Sequence, residues 1–185
     1  MDLSPIKNLI PDYAKDLRLN LSSVLTPEGA PGLSAQQILA TALASSVAAR
    51  NPTLLHEIEA LAAEHLDRAQ INAAKAAAAI MGMNNIYYRF THLVGNDEYA
   101  NLPTKLRMNV IGHPGVPKTD FELYSLAVSA VNGCGACMAS HERVVRKGGV
   151  SAEGVQSAVR IAAVVHAVAV VLDARPSEVA GRQAA

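Results

Sequence analysis

The chain has 185 residues, half of them apolar, with 16 basic residues balanced by 16 acidic ones. That length and apolar content suit a compact domain with its own core, which excludes a disordered chain, and the even charge excludes a binder driven by attraction to nucleic acid. Aromatic residues make up only 4%, tryptophan is absent and alanine is abundant, so closely packed helices fit better than a half-buried sheet, and the expected fold class is all-α, a single domain over residues 1–185.

The opening residues, Met1-Asp2-Leu3-Ser4-Pro5, carry neither a basic region nor an apolar signal core. No apolar run is read as reaching the about 20 residues needed to cross a bilayer, so a soluble, cytoplasmic protein with no membrane association is expected. Pro11 closes a short first segment, after which Tyr13, Leu17, Leu21 and Val24 recur at helical spacing over about residues 12–25. A loop rich in proline and glycine covers residues 26–32. Ser34 and Gln37 have the spacing of a capping box and open a helix that carries Leu39, Leu43 and Val47 on one face to about residue 49. Asn51 caps the next helix, Pro52 suits its first position, and Leu54, Leu55, Ile58, Leu61 and Ala62 form a stripe to about residue 65. So short a connection makes the two helices antiparallel neighbours.

From Asp67 an alanine-dense helix runs to Ile80, and Gly82 is expected to weaken or kink it before it resumes through Ile86, Tyr87 and Phe90. Residues 92–117 contain Gly95, Pro103, Gly112, Pro114 and Pro117 and read mostly as loop, with a short helix around residues 105–110. Thr119 and Glu122 have capping-box spacing, starting a helix with Leu123, Leu126, Ala127 and Ala130 inward that stops at Asn132-Gly133. A fresh helix begins near Cys134 and ends at Gly148-Gly149, where Arg143, Arg146 and Lys147 favour the negative end of its dipole. Ser151 caps a last helix, nearly all apolar over residues 155–172 and expected to be buried on most sides, although Gly154 stands where a full capping box needs Glu or Gln. The tail after Arg175-Pro176 reads as frayed. A helix, a glycine break and a second helix occur around both Gly82 and Gly133, a faint echo that sets Met83, Ile86 and Phe90 against Cys134, Cys137 and His141.

The only two cysteines lie three residues apart, too few and too close for a framework of structural disulfides, so the pair reads as redox or metal chemistry in a reducing compartment. Cys134, Cys137 and His141 fall at helix positions i, i+3 and i+7, along one stripe. Residues three apart on a helix have α-carbons about 5 Å apart, within disulfide range, so the pair can open and close locally. In the first turn, the free backbone amides and the positive dipole end favour a thiolate and lower a cysteine pKa. His141 lies one turn beyond Cys137 and can accept its proton directly or through one water. Glu122 begins the preceding helix; besides capping it, the carboxylate can orient the imidazole or receive its proton if the two helices fold together across Gly133.

Each residue also has a plainer reading: two small core cysteines, a surface or core histidine, and a glutamate that only caps. A metal-binding structural helix pair is a further alternative, because the cysteines and His141 are all zinc-competent, yet no fourth ligand is evident. His113 reads as loop polarity and His166 as a satisfied core histidine, neither in the site. Met81, Met83, Tyr87 and Tyr88 fill core or subunit-contact space or line an apolar entrance for a substrate.

The arrangement Glu122, eleven residues, Cys134, two residues, Cys137, three residues, His141 resembles the active-site signature of the alkyl hydroperoxide reductase D family, within the carboxymuconolactone decarboxylase-like superfamily. The resemblance covers nearly the whole chain, including Pro11-Asp12-Tyr13-Ala14-Lys15-Asp16, Leu19-Asn20-Leu21-Ser22-Ser23, Ala79-Ile80-Met81-Gly82-Met83-Asn84-Asn85, Leu106-Arg107-Met108-Asn109, Pro114-Gly115-Val116-Pro117-Lys118 and Phe121-Glu122-Leu123. It implies an all-helical homotrimer with its catalytic helix pair at about residues 120–147. It also implies a peroxidase of alkyl hydroperoxides that reduces a partner peroxiredoxin, alkyl hydroperoxide reductase C. Electrons are implied to come from dihydrolipoyl groups on an acyltransferase of a 2-oxoacid dehydrogenase complex, kept reduced by dihydrolipoamide dehydrogenase. No bound cofactor or metal is implied. By this resemblance Cys137 carries the sulfenic acid, Cys134 donates a proton and then resolves it, and His141 and Glu122 form the proton relay. Relatives commonly place histidine immediately before the second cysteine, where this chain has Ala136, whose side chain neither donates nor accepts a proton. A dithiol adaptor with little peroxidase activity of its own is therefore the alternative. Lactone decarboxylation is disfavoured because a dithiol contributes nothing obvious to it, and a thioredoxin-like protein because no strand alternation is visible.

Overall fold

The structure, a computed structural model, describes residues 2–175, and every regular element among them is a helix. A short α1 (Ser4–Leu9) and a single 3-10 turn at Asp12–Ala14 lead into α2 (Lys15–Val24). Two helices joined by a two-residue turn follow, α3 (Ala35–Ala49) and α4 (Pro52–His65). The longest helix is α5 (Arg68–Leu93), after which come the one-turn α6 (Asp97–Asn101) and α7 (Asn109–Gly112). The chain closes with α8 (Lys118–Val131), α9 (Gly135–Lys147) and α10 (Ala152–Asp173). Its core lies where α3, α5, α8 and α10 meet, and α9 lies across α8 and α5 at one side of it.

Most helix starts follow the local chemistry. Ser34 and Gln37 close a reciprocal capping box, and Asn51 accepts from the Leu54 amide with Pro52 in the first turn. Asp67 and Gln70 form a second full box, and Ser151 accepts from the Gly154 amide. The Gly154 position has a steric reason. A Cβ there would stand 2.8 Å from the Gly32 carbonyl oxygen and 2.9 Å from Val150 Cγ1, so the start of α10 approaches the loop before α3 too closely for a side chain. Gly154→Ala is expected to lower stability by about 1–3 kcal/mol through overpacking, read as a fall in urea midpoint with an unchanged slope.

Four expectations need correction. α5 runs unbroken through Gly82 as one 26-residue helix. A glycine costs a helix interior about 1 kcal/mol, less than the burial of Ala73, Ala74, Ala77, Ala78 and Met81 against α3 and α8 returns. The echo between Gly82 and Gly133 thus lacks its first break, and Ile86 and Phe90 are exposed where Cys137 is buried. The helix expected at residues 105–110 is displaced: α6 precedes it, α7 overlaps only its last two residues, and Lys105 has a left-handed φ of 52°, which ends any helix there. α8 starts two residues earlier than a Thr119 cap requires, with Pro117 at the N-cap and no side-chain cap, so Thr119 and Glu122 form no capping box.

The fourth correction concerns α10, which is long and apolar enough by composition to cross a membrane. Half of its most apolar stretch is buried inside the protein, against α3, α8 and α2, and the rest faces outward. His166 lies on that outer side and is exposed, so it is no core histidine. His113 sits exposed in the loop after α7, as expected, and the tail expected to fray, residues 176–185, lies outside the described residues.

Candidate active site

The turn between α8 and α9 builds the site. Gly133 adopts φ +69°, the Cys134 amide donates to the Ser129 carbonyl at 3.0 Å and the Gly133 amide donates to the Ala130 carbonyl at 3.2 Å. This pair of bonds is a Schellman motif, which needs a left-handed residue that glycine supplies without a Cβ penalty. The next residue, Cys134, is at once the end of that motif and the N-cap of α9: its Sγ accepts from the Cys137 amide at 3.3 Å. Cys137 therefore sits in the first turn of α9, and the two cysteines, 5.3 Å apart at Cα, form a disulfide.

A second set of bonds holds this turn on α5. Asn85 donates from Nδ2 to Ser129 Oγ at 2.9 Å and accepts on Oδ1 from Asn132 Nδ2 at 2.9 Å, while Arg89 donates to the Asn132 carbonyl at 2.7 Å. Asn85 is buried, so these bonds satisfy polar groups that would otherwise be costly in the interior.

Glu122, on α8, and His141, on α9, come together as expected. The imidazole Nδ1–H donates to Glu122 Oε2 at 2.6 Å, and both side chains are largely buried. An ionised carboxylate only accepts, so the bond fixes the proton on Nδ1 and leaves Nε2 toward the cavity, 3.2 Å from Met81 Sδ. Among the described residues no hydrogen bond joins His141 to either sulfur of the closed disulfide. Elsewhere on α8, burial, with smaller contributions from Asp120 and Asp67, pushes the Tyr124 phenol well above its ordinary value, so it stays neutral.

A cavity of about 300 Å³ opens on this group. Cys137, His141, Glu122, Ser140 and Ala136 line one side; Met81, Asn84 and Tyr88 of α5, with Met108 and Ile111 from the segment around α7, line the other. The two sulfurs are not equally placed toward the cavity. Cys134 is 0% exposed behind the turn, whereas Cys137, at 6%, belongs to the cavity wall. Of the four residues expected to fill core or contact space or to line an entrance, Met81 and Tyr88 line the cavity, Met81 being also part of the core; Met83 and Tyr87 do not line it. Sequence reasoning missed Asn84, Asn85, Met108 and Ile111. Two adjacent asparagines in an alanine-rich buried helix were a signal for the first pair. As for the zinc alternative, the sulfurs are joined to each other and His141 Nδ1 is held by Glu122, and no group of three or more His, Cys, Asp or Glu among the described residues converges to hold a metal ion.

Residues 97–176, which carry all four of these side chains, match the carboxymuconolactone decarboxylase family. Over 174 residues the chain is 59% identical to alkyl hydroperoxide reductase AhpD of Rhodospirillum centenum, covering 94% of this chain and 92% of that one. The chain belongs to the AhpD family. The AhpD of Gluconacetobacter diazotrophicus is 58% identical over 94% of this chain and 93% of its own, and that of Streptomyces coelicolor 55% over 94% and 96%. AhpD similarity at this level extends from the α8–α9 pair across the α5 wall of the cavity.

Proposed function

We propose that this chain is a thiol peroxidase of alkyl hydroperoxides that cycles Cys134 and Cys137 between dithiol and disulfide. The observation supporting this most directly is that one sulfur of the pair, Cys137, lines a largely apolar cavity beside a buried imidazole–carboxylate pair. In the reduced protein the amides and dipole at the start of α9 favour a Cys137 thiolate, whose proton passes to His141 and Glu122. The thiolate attacks the outer oxygen of the hydroperoxide. An S–O bond forms, the O–O bond breaks, and the departing alkoxide takes the Cys134 proton to leave as alcohol. The Cys134 thiolate then attacks Cys137 sulfur; the S–S bond forms and hydroxide leaves as water with the proton held by His141.

An external dithiol regenerates the pair through a mixed disulfide, so no resident cofactor is required. We assign that role to dihydrolipoyl groups of an acyltransferase served by dihydrolipoamide dehydrogenase, with the peroxiredoxin alkyl hydroperoxide reductase C as the protein partner, in a cytoplasmic homotrimer, as the family resemblance implies. One observation favours a second reading. The cavity side of Cys137 is flanked by Ala136 instead of a proton-carrying side chain, which suits a dithiol adaptor between lipoyl groups and the peroxiredoxin.

Reduced protein given an equimolar amount of cumene hydroperoxide is expected to lose both of its cysteine thiols, with cumyl alcohol formed mole for mole, and dihydrolipoamide is expected to restore them. Thiols untouched by the hydroperoxide but oxidised by the disulfide form of the peroxiredoxin would establish the adaptor. Thiols untouched by both would overturn the proposal.

A further inference from the structure

Three buried side-chain atoms among the described residues have no hydrogen-bond partner: Thr41 Oγ1, Ser125 Oγ and Asn84 Oδ1. Of these residues only Asn84 lines the cavity. It is 4% exposed and lies between Met81 and Tyr88 on the face of α5 formed by positions i, i+3 and i+7. Its neighbour Asn85 makes a sharp contrast, with both ends of its amide bonded to α8 and its turn. A buried carbonyl without a partner costs stability, so its retention beside a cavity calls for a reason, and a bound group that donates to it supplies one.

Resting on the peroxidase reading above, we propose that the Asn84 carboxamide binds the hydroperoxy group of the substrate and holds it against Cys137. A hydroperoxide presents one O–H donor and lone pairs on both oxygens, and a carboxamide presents the matching acceptor and donors. In the disulfide form Asn84 Oδ1 is closed off from the cavity; a turn of the carboxamide about its soft χ2 brings it to accept from the terminal O–H, which fixes the outer oxygen in front of Cys137. The amide N–H donates to the inner oxygen, where negative charge grows as the O–O bond breaks and the S–O bond forms. Met81, Met108, Ile111 and Tyr88 surround the position left for the alkyl group. The carboxamide does not act through the thiolate. It acts on the oxidant, and this separates it from Glu122 and His141.

The test compares three reactions of the same cysteine in Asn84→Leu, which keeps the shape and removes the hydrogen bonds. Oxidation of the reduced protein by cumene hydroperoxide in rapid mixing is expected to slow about tenfold or more. Alkylation of Cys137 by iodoacetamide across the pH range and re-reduction of the disulfide by dihydrolipoamide are expected to stay at wild-type rates. If Asn84→Leu does not fold, Asn84→Ala is read in the same way, and Asn84→Gln is expected to recover part of the lost rate. Wild-type oxidation rates in the variants, or equal slowing of all three reactions, would overturn the assignment and leave the peroxidase reading standing. Wild-type protein inert to the hydroperoxide would instead remove that reading, and this one with it.

Discussion

Hydroperoxide turnover in Cys137→Ser is expected to fall to the uncatalysed level, whereas Cys134→Ser is expected to reduce one equivalent of hydroperoxide per chain and then stop. The asymmetry follows from burial. Cys137 is part of the cavity wall, and Cys134 is closed off behind the Schellman turn with its sulfur on the first amides of α9. Only Cys137 can meet an oxidant, and a serine hydroxyl has neither the acidity nor the polarisability to replace its thiolate. Without Cys134 the sulfenic acid has no nearby thiol to condense with and should accumulate, detectable by dimedone labelling and mass spectrometry. A Cys137→Ser protein that still consumes hydroperoxide with dihydrolipoamide, or dimedone adducts on Cys134 in the wild type, would reverse the assignment of roles.

The second large effect is expected at the imidazole. His141→Ala should lower hydroperoxide turnover about 10²-fold or more, the usual contribution of a positioned proton carrier. Glu122→Gln alone should lower it too, because the amide can hold the ring but cannot take a proton. Adding Glu122→Gln to His141→Ala should change little further, since the glutamate acts through the histidine it orients at 2.6 Å. Independent, multiplying losses would mean that the two side chains do not work as a unit. Folding needs a parallel check. Removing one partner of a buried pair destabilises by about 3–5 kcal/mol, so circular dichroism and urea midpoints should accompany the rates, and the His141→Ala protein should still react with iodoacetamide once reduced.

The helix termini were legible in the sequence because capping chemistry is local. Ser34, Asn51 and Ser151 each bond an amide within three residues, and Gly133 marks its own left-handed turn. The stripe of Cys134, Cys137 and His141 was legible for the same reason: helix periodicity places neighbours without reference to the rest of the fold. Tertiary outcomes were not. Glu122 stands at capping distance from Thr119 and also faces His141 nineteen residues on, and only the packing of α9 across α8 chooses between these partners. Gly82 looked like a breaker because its cost is intrinsic, while the burial that outweighs it comes from α3 and α8. Asn84 and Asn85 are identical in type and adjacent in sequence; the 100° rotation between them gives one a structural task and leaves the other facing the cavity. The short α6 and α7 have too few turns to announce themselves by period.

The seclusion of Cys134 also dictates the traffic of the proposed cycle. Whatever arrives to cleave the bridge must strike Cys137, through the mouth the oxidant used, with Cys134 departing as the leaving group. Two visitors therefore share one doorway and never stand in it together. On the proposed cycle the kinetics should be ping-pong, and an excess of either visitor should compete with the other for that mouth.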